Sequence, residues 1–133
     1  MAEAAAPAPA AVDELTGPAL RAFFNTAGLW GLSNAEQKVL LGSPKERTFY
    51  NWKRVKEGNL SKDTLERISY ILGIYQALQI LLPNTEAADA WVRKPNTAPS
   101  FGGRSALDLM LSGNVSDLYQ VRRHLDVARG GWG

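Results

Sequence analysis

The stretch Ser33-Asn34-Ala35-Glu36-Gln37-Lys38-Val39-Leu40-Leu41-Gly42-Ser43-Pro44-Lys45-Glu46-Arg47-Thr48-Phe49-Tyr50-Asn51-Trp52-Lys53-Arg54 decides the fold. It carries helix starts in quick succession. Ser33 with Glu36 three residues on is a capping box: the serine oxygen takes one orphan N–H of the first turn, and the glutamate reaches back to the cap's own N–H. Ser43-Pro44-Lys45-Glu46 repeats the pattern, with proline at the first helical position, where its missing N–H loses nothing. Short capped helices joined by a tight turn at Leu41-Gly42-Ser43 predict a helix-turn-helix. The second helix of such a unit lies in the major groove, with its first residues toward the base edges. Lys45, Arg47 and Thr48 are the expected base-facing residues, with Asn51 one turn further. Arginine reads guanine bidentately and asparagine reads adenine. Ser43, Lys53, Arg54 and Lys56 are expected to hold phosphates, and Phe49 and Trp52 to pack inward. The competing reading is a helical hairpin that merely folds.

Working outward, the punctuation is helical throughout. Residues 1–16 begin Met1-Ala2-Glu3-Ala4-Ala5-Ala6-Pro7-Ala8-Pro9-Ala10, which reads as a disordered Ala/Pro-rich arm. It lacks the positive start and long apolar run of a secretory leader. Gly17-Pro18 then opens a helix with Leu20, Phe23, Phe24 and Ala27 at helical spacing, ended by Gly28 and Gly31. Behind the central pair, Ser61 caps a long helix carrying Leu65, Ile68, Ile71, Leu72, Tyr75, Leu78 and Leu82, and Pro83 stops it. That stripe is core. Shorter helices follow: Glu86 to Lys94, then Ala106 to Leu111 capped by Ser105. The last is capped by Asn114 or Ser116, with Leu118, Val121, Leu125 and Ala128 on one face. The predicted class is all-α. Residues 17–83 form a helix-turn-helix domain, and residues 84–133 a smaller helical domain.

Composition removes most other functions. The chain has 133 residues, no cysteine and one histidine, so disulfides, thiolate metal sites and His-cluster metals are excluded. Absence of cysteine suits a reducing cytoplasm. His124, alone on a helix, reads as structural. No long uncharged apolar run suggests a membrane span. Phe101-Gly102-Gly103-Arg104-Ser105 is a glycine loop entering a helix, without the lysine of a phosphate-binding loop. No nucleophile–base pair is evident, so neither an enzyme nor a cofactor is expected. Net charge is only +2. Even so, Lys45, Arg47, Lys53, Arg54, Lys56 and Lys62 cluster against Glu46 and Glu57. A basic patch in a near-neutral chain points to nucleic acid, against the alternative of a solvated helix face.

Taken together, Arg47-Thr48-Phe49-Tyr50-Asn51-Trp52, Leu65-Glu66-Arg67, Trp91-Val92-Arg93-Lys94-Pro95-Asn96, Phe101-Gly102-Gly103-Arg104-Ser105-Ala106-Leu107-Asp108-Leu109-Met110 and Arg129-Gly130-Gly131-Trp132-Gly133 resemble, in order, the landmarks of the Xre/MbcA/ParS antitoxin family. Ala106 stands where family members commonly have proline, which alters only the first turn of that helix. The resemblance implies a partner, a RES-domain toxin that consumes NAD or ADP-ribosylates a target. It also implies operator DNA of the shared operon, repressed through the helix-turn-helix. Residues expected on the toxin are Trp91, Arg104, Arg122, Arg123, Arg129, Gly130, Gly131 and Trp132. Arginine and tryptophan are the residue types that most often dominate interfaces, and a glycine pair permits close backbone approach. A homodimer is expected, since one helix-turn-helix reads few base pairs. The alternative function is a stand-alone helix-turn-helix regulator.

Overall fold

The structure, a computed structural model, describes residues 7–130. In order it contains α1 (Pro7–Leu29), α2 (Asn34–Leu40), α3 (Glu46–Val55), α4 (Lys62–Leu81), α5 (Thr85–Ala90), a 3-10 turn (Trp91–Arg93), α6 (Ala106–Met110) and α7 (Val115–Ala128). Among the described residues the extended pairing is one isolated bridge, Pro95 to Ser105. The class is all-α, as predicted. No helix of the described residues is long and apolar enough to cross a membrane.

The caps at Ser33, Ser61 and Ser105 form as their sequence spacing predicts. Each serine oxygen accepts from the N–H three residues on, that of Glu36, Thr64 and Asp108 respectively. Asn84 caps α5 in the same way. The axis of the molecule is α4. It buries Thr64, Ile68, Ile71, Ile74, Ala77 and Leu78, and Leu65, Leu72 and Tyr75 are half-buried against the same core. Its main neighbours are α7 on one side and α1 on another. Leu20 and Phe23 of α1, Leu40 of α2, Phe49 of α3, Met110 of α6 and Leu118, Val121 and Leu125 of α7 are all buried in one continuous cluster. The core is therefore shared between the two halves of the chain.

Several expectations are corrected. The arm expected over residues 1–16 is helical from Pro7 onward, and α1 runs through Gly17-Pro18 instead of starting there. Pro7 and Pro9 fall in the first turn, whose N–H groups lack intrahelical acceptors in any case, and alanine, at Ala8, Ala10 and Ala11, is the best helix former. Pro18 removes one rung of the ladder, but Leu20, Phe23 and Ala27 beyond it are buried and hold the helix. Met1 to Ala6 lie outside the described residues. Ser43 is not a cap: α3 begins at Glu46 with Lys45 at its N-cap and no side-chain cap bond. Gly42 and Ser43 have φ of 91° and 58°, which lets the Ser43 N–H reach the Lys38 carbonyl at 2.8 Å and close the end of α2. Glu46, expected to complete that box, pairs instead with Lys38 at 2.8 Å. Ala128, expected on the buried face of α7, is exposed.

Long-range arginines lock the parts together. Arg93, from the 3-10 turn, donates to the Trp30 carbonyl at 3.2 Å, the Gly31 carbonyl at 2.8 Å and Glu36 Oε1 at 3.0 Å. It thus satisfies carbonyls at the end of α1 and the capping-box glutamate of α2 at once. Arg67 donates to Asp63 at 2.8 Å and to the Gly113 carbonyl at 3.0 Å, fastening α4 to the entry of α7. Burial pushes the Glu36 carboxyl up, but the Ser33 N–H and the Arg93 guanidinium outweigh it and hold the carboxyl below its ordinary 4.5.

A depressed folded-state value stabilises the fold above the ordinary pKa, and that stability is lost as pH falls through the folded value. Arg93→Ala is expected to lower unfolding stability at pH 7 by about 1–2 kcal/mol, the scale of charge-assisted hydrogen bonds reduced by partial exposure. The gap to wild type should narrow below about pH 4.5 as Glu36 protonates. Urea unfolding across pH checks this; a constant gap would show Arg93 acting through the carbonyls alone.

Candidate nucleic-acid and protein interfaces

Helix α3 has two faces. Phe49 and Trp52 are buried, as predicted. Phe49 packs edge-on against Phe24 of α1 at 6.0 Å. Opposite, Arg47, Tyr50, Asn51 and Arg54 are exposed. Their spacing of three, four and seven residues places them in one row along a helix. With Lys53 they line a shallow groove.

The expected DNA-facing residues are not equivalent. Among the described residues the side chains of Lys45 and Arg47 have no hydrogen-bond or ion-pair partner, so both are available to a ligand. Asn51 Oδ1 accepts from Arg54 at 3.1 Å, which arranges both side chains over the same groove. Thr48 is half-buried on the flank. Lys53 Nζ donates to Asn34 Oδ1 at 2.5 Å. Lys56 is turned onto the protein: Nζ donates to the Lys53 carbonyl at 2.6 Å and lies 5.6 Å from the Phe24 ring centre. Ser43 sits exposed in the turn. Tyr50 was not among the expected residues. Lys38 was also missed; it lies 5.5 Å from the Tyr50 ring centre and pairs with Glu46. The hydrogen bond from Lys38 holds Glu46 below the usual carboxylate range, and Glu46 holds the lysine above its own. An acid at the start of a DNA-facing helix would repel phosphate, and this pairing neutralises it.

The second candidate surface joins the 3-10 turn, the loop after it and α7. Trp91, half-buried, stacks on His124 at 6.4 Å and meets Phe101 edge-on at 6.1 Å; Phe101 and His124 are 4.9 Å apart. The lone histidine is thus part of an aromatic cluster. Beside it Ser100, Gln120, Arg123, His124, Val127 and Ala128 line a shallow depression. The loop closes on itself: Asn96 N–H donates to the Arg104 carbonyl and Gly103 N–H to the Asn96 carbonyl, each at 3.0 Å. Gly102 and Gly103 take φ of 56° and 83°, so the glycine pair serves this turn. Arg104 is exposed on its rim, with Nη2 3.4 Å from the Asp108 carbonyl.

Of the expected toxin-facing residues, Trp91 stacks on His124, and Arg123 lines the depression that His124 also lines. The structure sends Arg122 to a different side of α7. There the guanidinium lies over Gly73 of α4, where an added β-carbon would collide with it, and Nε is 3.3 Å from Asp126. Arg129 and Gly130 end α7 and are exposed. Gly131 and Trp132 lie outside the described residues.

Trp52, which supports α3 from below, sets a specific demand on the next loop. Gly58 has φ of 148°, and a β-carbon there would lie 2.7 Å from Trp52 Nε1. Gly58→Ala is expected to destabilise by about 1–3 kcal/mol, because a strained backbone position meets a buried ring. Gly28→Ala is the control: nothing lies within 4 Å of its β-carbon, and it should be neutral or mildly stabilising. Thermal melts of both variants check this, and equal effects would refute it.

Comparison with known proteins matches one family domain to each half of the chain. A family model described as the antitoxin Xre-like helix-turn-helix domain matches residues 2–73. A second, described as the antitoxin Xre/MbcA/ParS C-terminal toxin-binding domain, matches residues 77–131. The chain is 52% identical over 112 residues to the uncharacterized protein y4oB of Sinorhizobium fredii, with 84% of each chain covered.

Proposed function

The chain belongs to the Xre/MbcA/ParS antitoxin family, and we propose that it neutralises a RES-domain toxin and represses the operon encoding both. Its role as the antitoxin of a toxin–antitoxin pair, with a DNA-binding helix-turn-helix and a toxin-binding C-terminal domain, follows from the family. The observation that carries the DNA reading is the row Arg47, Asn51 and Arg54, exposed on a helix whose other face is pinned by Phe49 and Trp52. A rigid helix with guanidinium and carboxamide groups in register suits base reading. Lys45 and Lys53, with Ser43 in the turn, are placed for phosphates. Lys56, already bonded to the protein, is the weakest of these candidates.

In this proposal the DNA-binding part ends with α4, and the toxin-binding part begins after Pro83. The toxin, a NAD-consuming or ADP-ribosylating enzyme, is met by Trp91, Arg104, Arg123 and the tail from Arg129. There an arginine and a tryptophan, Trp132, would supply the dominant contacts. Arg122, seated on Gly73, faces elsewhere and contributes less. The antitoxin itself is not an enzyme, needs no cofactor, acts in the cytoplasm, and binds its operator as a homodimer so that two half-sites are read.

Two measurements test this reading. Fluorescence anisotropy on DNA from immediately upstream of the gene is expected to show specific binding. Arg47→Ala and Asn51→Ala should each weaken it by about 1–3 kcal/mol, while Lys53→Ala should weaken all sequences alike and lessen the salt dependence. Wild-type affinity in the Arg47→Ala/Asn51→Ala double variant would refute α3 as the reading helix. Co-expression with the neighbouring gene product should yield a complex in which toxin NAD turnover is silent. Deleting residues 129–133 should restore turnover while leaving DNA binding intact. Full inhibition by the truncated chain would move the contact to Trp91, Arg104 and Arg123.

A further inference from the structure

We infer that Tyr50 is a base-reading residue that recognises the 5-methyl group of a thymine through its ring. The inference rests on the reading of α3 as the helix that enters the major groove. Tyr50 is 44% exposed and stands in the same row as Arg47, Asn51 and Arg54. The other members of that row offer hydrogen bonds; Tyr50 is the large aromatic group among them.

Its orientation is fixed before any ligand arrives. The ring meets Phe49 edge-on at 5.1 Å, and Phe49 is fully buried. Lys38 Nζ sits 5.5 Å from the ring centre and is itself anchored by Glu46 at 2.8 Å. Asn34 Nδ2 donates to the Tyr50 hydroxyl at 3.4 Å, and the Oδ1 of the same asparagine accepts from Lys53 at 2.5 Å. The polar end of Tyr50 is therefore turned toward α2, and ring carbon is what it presents between Arg47 and Asn51. Of the base edges in the major groove, thymine shows an apolar group, its C5-methyl, and apolar side chains read it by contact. An aromatic ring held in place contacts a methyl group with no side-chain entropy left to lose.

The test removes the methyl without touching hydrogen bonding. The segment upstream of the gene that wild type protects is prepared as duplexes in which single thymidines are replaced by 2′-deoxyuridine. Wild type and Tyr50→Phe are expected to bind one or more of these about three- to fivefold more weakly than the thymine duplex, the worth of one buried methyl group. Tyr50→Ala should bind the thymine and uracil duplexes alike at those positions, while Arg47→Ala keeps the thymine dependence. Circular dichroism melts confirm that the variants are folded. Should Tyr50→Ala fail to fold, Tyr50→Ser and Tyr50→Gln at the same positions serve as the ring deletions. Retention of the wild-type thymine dependence by a folded ring-deletion variant would overturn the inference, as would uracil indifference of wild type at every position, while leaving α3 as the reading helix. Absence of any specific binding by wild type would overturn both.

Discussion

Helix α4 buries most of its circumference and leaves water a narrow stripe, Glu66, Ser69, Gln76 and Ile80. Ile68, Ile71, Ile74, Ala77 and Leu78 are buried, and Leu65, Leu72 and Tyr75 are partly covered as well. A helix apolar over so much of its circumference cannot stand alone in water. It must be wrapped from more than one direction, and the chain does this with pieces from both ends: α1 before it and α7 after it. The relation is mutual. Leu20 and Phe23 of α1 and Leu118, Val121 and Leu125 of α7 are buried in the same cluster as the α4 stripe. The two halves of the chain are therefore one folding unit. A hole made anywhere along α4, by truncating Ile71 or Ile74 for example, would be felt in both functions, because a core close-packed on all sides relaxes little around a cavity.

That shared core explains how so short a helix as α3 can be rigid. Ten residues of polar helix are marginal in isolation, and α3 covers little area. It is held by the insertion of Phe49 and Trp52 beneath it, by α1 through Phe24, and by the Lys38 bridge to Glu46 across the turn. The bridge is exposed and contributes little stability. Its value lies in charge balance: it hides a carboxylate at the entrance to a surface otherwise lined by Arg47, Asn51, Lys53 and Arg54. The same lysine covers Tyr50, so neutralising the acid and orienting the aromatic ring come from one side chain.

Local chemistry was legible in the sequence, and long-range chemistry was not. Ser33, Ser61 and Ser105 could be read as caps because a cap is decided within four residues. The stripe from Leu65 to Leu82 could be read as core because periodicity is also local. Ser43 misled for a physical reason. It has the composition of a cap, but the end of α2 needs consecutive left-handed residues at Gly42 and Ser43, and that geometry removes the serine oxygen from the start of α3. The Ala/Pro-rich arm misled because its composition suggests disorder, whereas proline in a first turn is harmless and alanine favours helix. The role of Arg93 is not legible locally: its partners Trp30, Gly31 and Glu36 lie some sixty residues away, and no spacing rule reaches that far. The separation of Arg122 from Arg123 follows from Gly73, an unremarked glycine inside a helix whose missing side chain makes room for a guanidinium.

Arg93 also ties the two halves of the chain together. It belongs to a three-residue turn, Trp91–Arg93. Trp91 at one end of that turn stacks in the aromatic cluster on α7. Val92 between them is fully buried. Arg93 at the other end grips the capping box that starts α2, and α2 carries Lys38 and Asn34, the residues that orient Tyr50 and Lys53. The path from the Trp91 cluster to the exposed row of α3 thus runs along the 3-10 turn, through the bond from Arg93 to Glu36, and along α2. A core this continuous, crossed by an arginine of one half whose guanidinium bonds carbonyls of the other, opposes independent motion of the halves. The division of labour along the chain is a division of surfaces, laid over a single body.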